Sequence, residues 1–201
     1  MKTKLGFFIL GVGLVLTLSC TKYPPSSDRL LEDLAVITQY DTKADFNTYK
    51  TYNIANTITK ITDKDTSIVA GQIATDVLNQ IDKNMKARGF VPAATGEIPD
   101  LGLQVTYFQN TNVYVYYYDY WGWYYPYYGY YYPTYYSTYT TGLAAIEIID
   151  LKNGDNTNHR ASIVWNGYIR GLLTSGHSTY DITNSIDQAF IQTPQLVTTA
   201  K

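Results

Sequence analysis

The chain has 201 residues, with 15 Lys plus Arg against 17 Asp plus Glu, and only 16% of it is charged, where soluble domains carry about 25%. That length suits one domain with its own core, and a net charge of −2 excludes the basic surplus with which a nucleic-acid binder meets phosphates. A single cysteine excludes an intramolecular disulfide and a multi-cysteine zinc site, while tyrosine, 22 residues of it, stands where charge is missing.

Met1-Lys2-Thr3-Lys4 is a short basic leader, and the apolar run Leu5 to Leu18 follows it. As a helix that run reaches roughly 21 Å, short of the ~30 Å hydrocarbon core of a bilayer. A basic start, a short apolar centre and a small residue before the cut describe a secretory signal, residues 1–19. The join Ser19-Cys20 resembles the lipobox of bacterial lipoproteins, with Thr17 where Leu is commonest and Leu16 displaced by one. The resemblance implies cleavage before Cys20, a diacylglycerol on its thiol and an acylated new amine. The other reading is an ordinary cleaved signal that leaves Cys20 a free thiol. Acyl chains at about 0.8 kcal/mol per buried methylene hold a protein on a bilayer almost permanently. Loss of Lys2 and Lys4 leaves 13 basic against 17 acidic residues, so the lipid, not a polybasic patch, supplies membrane affinity. Residues 20–30, with Pro24-Pro25 and Ser26-Ser27, read as a tether. No Asp directly follows Cys20 and no acidic cluster comes after it. The expected place is therefore the outer membrane, periplasm-facing, with surface exposure left open.

Residues 31–196 read as one domain. From Leu34 to Tyr40 residues alternate in strand fashion; Asp41 to Asp45 is turn material, and Lys50 to Ile54 is a second strand. A helix is expected from Ile68 to Arg88, with Ile73, Val77, Ile81 and Met85 recurring every four residues. Asp65, Thr66 or Ser67 would cap its start, and Gly89 would close it. Phe90 to Pro99 reads as a loop, and Leu101 to Tyr107 as a strand with one buried face. Leu143 to Leu151 is apolar on both faces apart from Glu147 and reads as a central strand; Asn153-Gly154 is the turn after it. Ala161 to Ile169 returns, with Gly167 where a neighbouring backbone approaches closely. A closing helix runs from Tyr180 to Gln192, capped by Ser178 or Thr179, with Pro194 beyond its end. The order β-β-α-β-(insert)-β-β-α implies an α+β fold: a mainly antiparallel sheet, two helices on one face, and a Tyr-rich insert between strands. Residues 197–201 are a C-terminal tail.

Asp45-Phe46, Tyr49-Lys50-Thr51-Tyr52, Arg88-Gly89-Phe90, Pro99-Asp100-Leu101, Ile146 to Asp150, Trp165-Asn166-Gly167 and the Ile186 to Pro194 segment occur in that order. Together they resemble the bacterial lipoproteins of domain-of-unknown-function family 4136, over residues 31 to 196. The resemblance implies fold and location and brings no catalytic residue with it.

The insert, residues 112–140, is extreme. Between Tyr114 and Tyr139, 15 of 26 residues are tyrosine and Asp119 is the only charge. Each ring pairs an apolar body with a hydroxyl that needs water or a partner, so many of them belong at a surface or interface. Three readings stand: a structural extension of the sheet, a recognition surface in which Tyr and Trp give contact area at low entropy cost, and a glycan platform. Tyr116, Tyr118, Tyr120, Trp121, Trp123, Tyr125, Tyr128 and Tyr131 are the candidate binding surface. The missing Lys and Arg speak against nucleic acid, and aromatic rings also suit the lipid headgroup region.

Catalytic signals are thin. His159 sits in a polar turn. Ser175, His177 and Asp181 put a hydroxyl, an imidazole and a carboxylate in one short stretch, but without the Gly-x-Ser-x-Gly elbow; Ser178 capping a helix is the simpler reading. His177 and Asp181 as a metal pair have no third ligand nearby. Glu147 is the carboxylate whose pKa burial would raise, the simpler expectation being an outward-facing or tyrosine-bonded acid. No phosphate loop or dinucleotide fingerprint occurs, and no cofactor or metal is expected. The sequence thus points to an outer-membrane lipoprotein with a non-enzymatic binding or scaffolding role through its aromatic insert. Its partners would be the membrane, through the lipid, and an envelope protein or glycan, not nucleic acid. Glycan binding is the alternative, a serine hydrolase the remote one.

Overall fold

The computed structural model describes residues 34–109, 142–155, 160–173 and 178–200. The alternating Leu34 to Tyr40 stretch forms strand β1, Ala35–Tyr40. Asp45 then accepts a hydrogen bond from the Asn47 amide to start a single 3-10 turn, Phe46–Thr48. That turn drops Phe46 and Tyr49 into the core ahead of β2, Thr51–Ile61. Next come β3, Thr66–Val69, helix α1, Gln72–Ala87, and a two-residue strand β4, Val91–Pro92. Strands β5, Leu101–Phe108, β6, Leu143–Asp155, and β7, Arg160–Arg170, precede helix α2, Thr179–Ile191.

The strands form one seven-stranded sheet in the order β1-β7-β6-β5-β2-β3, with β4 beside β2. Most pairs are antiparallel; β2 runs parallel to β4 and β5. A parallel pair needs a crossover, and α1 lies in the chain between β2 and β5. The main core sits between the helices and one sheet face. It joins Val77, Ile81 and Met85 of α1 and Ile182, Ile186 and Phe190 of α2 to Leu103, Val105, Ile146, Ile148 and Trp165. Among the described residues the observed fold is therefore α+β, with two helices on one face of a mostly antiparallel sheet.

Several expectations need correction. Helix α1 starts at Gln72, not Ile68: Thr66 to Val69 pair antiparallel with Ile58 to Ile61. Their β-branched side chains favour an edge strand, and Gly71, at φ 95°, turns the chain from strand into helix without a side-chain cap. Asp65 instead closes the β2–β3 turn, its carboxylate accepting from the Thr66 amide at 2.7 Å. Val91–Pro92 is a short strand within the expected loop. Strand β5, which lies between β2 and β6, is buried on both faces rather than one. Asn153-Gly154 is not the turn; β6 continues to Asp155, which pairs with Arg160. The chain passes Asp150 with a break in register, and the Asp150 carboxylate gathers the Asn153 amide and side chain, each at 2.9 Å.

The close of α1 is as expected and fully paired. Phe90 N–H reaches Met85 O and Gly89 N–H reaches Lys86 O, the two bonds of a Schellman cap. Gly89 has φ 91°, and a Cβ there would sit 2.4 Å from the Thr198 carbonyl oxygen. Thr198 lies buried in the same place, bonded to Arg88 O through its amide and to Tyr49 O through its hydroxyl.

Candidate functional site

Cys20 and the ring residues Tyr116, Tyr118, Tyr120, Trp121, Trp123, Tyr125, Tyr128 and Tyr131 lie outside the described residues, as do His159, Ser175 and His177. Of the Ser-His-Asp set only Asp181 is described. It is the third residue of α2, where its carboxylate accepts from the Ser178 amide at 3.1 Å and the Ser178 hydroxyl at 2.7 Å. With the return bond from the Asp181 amide to Ser178 Oγ this is a capping box, the helix-start reading of these residues. Among the described residues no group of three His, Cys, Asp or Glu could hold a metal, and no helix is long and apolar enough to cross a membrane.

What the described residues do define is the mount of the insert. Strands β5 and β6 stay paired to the last residue, Phe108 opposite Leu143. Gly142 N–H then donates to Phe108 O at 3.0 Å, and Gln109 N–H to Ile61 O at 3.0 Å. Gln109 and Gly142, the described residues on either side of residues 110–141, are thus held beside the paired ends of β5 and β6, by β2 and β5 respectively.

Those strands also present the sheet face opposite the helices. Near the mount that face carries Ile61, Phe108 and Ala145, with Leu143 and Tyr168 against them. At its far end lie Ile149, Leu151 and Ala161, with Ile163. Between these apolar groups the register sets Gln39, Asn166, Glu147 and Gln104 in one polar row across β1, β7, β6 and β5. Glu147 is 1% exposed and accepts from Gln104 Nε2 at 2.8 Å. It does not face open solvent as one reading expected: it is buried, and the Gln104 amide meets its carboxylate. Asn166 Oδ1 is buried with no hydrogen-bond partner. Only Glu147 of this row is conspicuous in the sequence. Gln104 between Leu103 and Val105, and Asn166 after Trp165, are the polar interruptions that could have marked the rest.

On the other side, a groove of about 270 Å³ runs between β2 and α1, lined by Asn53, Asn56, Asn79, Leu78 and Pro92 among others. Its end is closed by Tyr52, whose hydroxyl donates to Asp82 at 2.7 Å, while Lys86 meets the other Asp82 oxygen at 2.6 Å. Burial, and then Asp82, push the Tyr52 phenol well above its ordinary range. Tyr49 is raised in the same way, by burial and then by its bond to Asp150 at 2.8 Å.

The residues on which the sequence resemblance rests tie elements together. Asp100 Oδ2 accepts from the amides of Lys50 and Thr51 at 2.6 and 3.1 Å. The Arg88 guanidinium lies 5.3 Å from the Phe190 ring centre, and burial lowers its pKa against the opposing pull of Asp187. Trp165 Nε1 donates to Thr193 Oγ1 at 2.9 Å.

Comparison with known proteins agrees with this architecture. Residues 36–195 match the family described as "Domain of unknown function (DUF4136)". The fold is similar to that of a DUF4136 family protein from Bacteroides thetaiotaomicron, at 31% identity and a TM-score of 0.66, over 82% of this chain and 97% of that one. More distant are a PelC dodecamer from Paraburkholderia phytofirmans, at 12% identity and TM-score 0.42 over 83% and 99% of the two chains, and a PDZ domain protein from Parabacteroides distasonis, at 15% and 0.44 over 81% and 36%. No curated protein matches the chain.

Proposed function

From the premise that this chain belongs to the DUF4136 family, whose description carries no activity, we propose that it is a lipoprotein held on the periplasmic side of the outer membrane by acylated Cys20. Its role is non-enzymatic: binding or scaffolding at the envelope through the Tyr-rich insert. One observation carries the reading. Phe108 and Leu143 are directly paired, and the Gly142–Phe108 and Gln109–Ile61 bonds hold the residues on either side of residues 110–141 against β5 and β2. A segment of 15 tyrosines that follows the end of one central strand and precedes the start of the next departs from a paired scaffold, as recognition surfaces do.

Two experiments test it. Intact mass and membrane fractionation of Cys20→Ser address the anchor; an unchanged mass and unchanged fractionation defeat that half. Replacing Thr111 to Thr140 with a short Gly/Ser segment addresses the insert. The expected result is a retained melting temperature with loss of envelope partners captured by cross-linking in cells; collapse of the domain would make the insert structural. Sedimentation with purified peptidoglycan, lost in the same variant, would place the partner among glycans rather than proteins.

A further inference from the structure

Among the described residues strand β1 ends the sheet, and its outer edge is uncharged. Ala35-Val36-Ile37-Thr38-Gln39-Tyr40 carries neither Lys, Pro nor an acid, the devices by which edge strands avoid pairing. The Asp41 amide donates to Val164 O at 2.9 Å, toward β7. Backbone groups alternate sides along a strand, so those of Val36, Thr38 and Tyr40 point away from the sheet. Gln192 confirms this by donating from Nε2 to Val36 O at 3.1 Å. That contact closes one end of the edge and leaves the N–H and C=O of Thr38 and Tyr40 facing out. Ile37, 60% exposed, and Ile191, 64% exposed beside Gln192, add apolar surface near it.

We propose that β1 pairs antiparallel with β1 of a second copy of this chain, about a two-fold axis at Gln39. In that register Thr38 of one copy stands opposite Tyr40 of the other. The two pairs exchange four backbone hydrogen bonds, and the Val36–Gln192 contact stays intact. The strand is its own complement: with no charge on it, the antiparallel copy brings no like charges together. The two Gln39 side chains meet across the axis, each able to give and accept one amide hydrogen bond. The pairing joins two sheets into one and is independent of what the aromatic insert binds.

Sedimentation equilibrium of the full chain in detergent, with amide hydrogen exchange at Thr38 and Tyr40, tests it. The expected result is a dimer mass that grows with concentration, with protection of those two amides rising in parallel. Gln39→Lys places two ammonium groups opposite each other and should weaken the dimer about fivefold; Gln39→Val, which favours a strand, should tighten it. Gln39 is exposed, so both variants should melt as the parent monomer does. A monomer at every concentration, a dimer indifferent to Gln39→Lys, or protection independent of concentration would each overturn the pairing.

Discussion

The indole of Trp165 fills the space over Gly167: a Cβ on that glycine would lie 2.7 Å from Trp165 Cη2 and 3.4 Å from the Ala189 Cβ. The close approach that Gly167 permits is thus to a side chain two residues earlier in its own strand, not to a neighbouring backbone as the sequence suggested. The ring cannot retreat, because it stacks on Phe190 with centres 5.2 Å apart and is held by Thr193 through its nitrogen. Gly167→Ala should therefore destabilise the domain by about 1–3 kcal/mol, the usual cost of overpacking. Urea midpoints of the two proteins check it, and an unchanged midpoint would mean that the ring moves freely.

Alkaline pH should unfold the domain through its buried phenols. Tyr49, Tyr52 and Tyr107 all have raised pKa values, each mainly because burial disfavours the phenolate, with Asp150 and Asp82 adding to the first two. In the unfolded chain these groups lose their protons near the ordinary value of 10.0; in the fold they keep them. Above that pH the unfolded state binds fewer protons, so the stability, fully present below about pH 10, falls as pH rises at roughly 1.4 kcal/mol per unit for each group. Denaturant titrations between pH 9 and 12 should show this slope, and Tyr52→Phe should reduce it by one group. A slope unchanged in Tyr52→Phe would show that the Tyr52 phenol ionises alike in both states.

The legible parts of this fold are those where one local signal meets no competitor. Helix α2 and its Ser178 cap, the Gly89 closure of α1 and the alternation of β1 are all local patterns that the tertiary structure leaves alone. The start of α1 is not legible because Ile68 and Val69 extend the helical stripe while pairing along β2 decides their conformation. Asn153-Gly154 carries a turn signal without being the turn, because the Asp150 carboxylate, not the dipeptide, organises that stretch. The polar row was only partly legible: Gln104, Glu147 and Asn166 are far apart in the chain, and register alone makes them neighbours.

The row predicts a cost for losing its acid. Glu147→Ala removes the acceptor of Gln104 Nε2 from a place where both residues are buried. A buried polar group deprived of its partner costs about 1–3 kcal/mol. Glu147→Gln keeps an oxygen acceptor at the same length and should lose less than Glu147→Ala. Thermal midpoints of the pair measure the difference; equal losses would mean that the carboxylate charge, which both variants lack, is what matters there rather than the oxygen acceptor.

Ser178→Ala should lower stability by about 1 kcal/mol, as the loss of a side-chain N-cap usually does. The hydroxyl both accepts from the Asp181 amide and donates to its carboxylate, and Asp181 answers at the Ser178 amide. Asp181→Ala takes away the other half of the box, so the double variant should cost less than the two single losses added. Additive losses in a double-mutant cycle would show the two halves acting independently.

Asp100 joins three strands at one end of the sheet. Its carboxylate accepts from the amides at the entry to β2, its own amide donates to the Thr51 hydroxyl at 3.0 Å, and its carbonyl takes the Leu151 and Lys152 amides of β6 at 2.9 and 3.1 Å. The backbone bonds survive any substitution, so the side chain's share can be isolated. Asp100→Ala leaves the Lys50 and Thr51 amides without their acceptor where β2 begins beside β5, and should cost about 1–3 kcal/mol. Asp100→Asn retains one carbonyl oxygen able to accept from both and should cost less. Lys152 Nζ, 3.8 Å from the carboxylate and largely exposed, adds little, since such pairs are worth at most about 1 kcal/mol; raising the salt concentration should barely move the melting temperature of the parent. A strong salt dependence that vanishes in Asp100→Asn would instead make the Lys152 pair, rather than the two amides, the reason this aspartate matters.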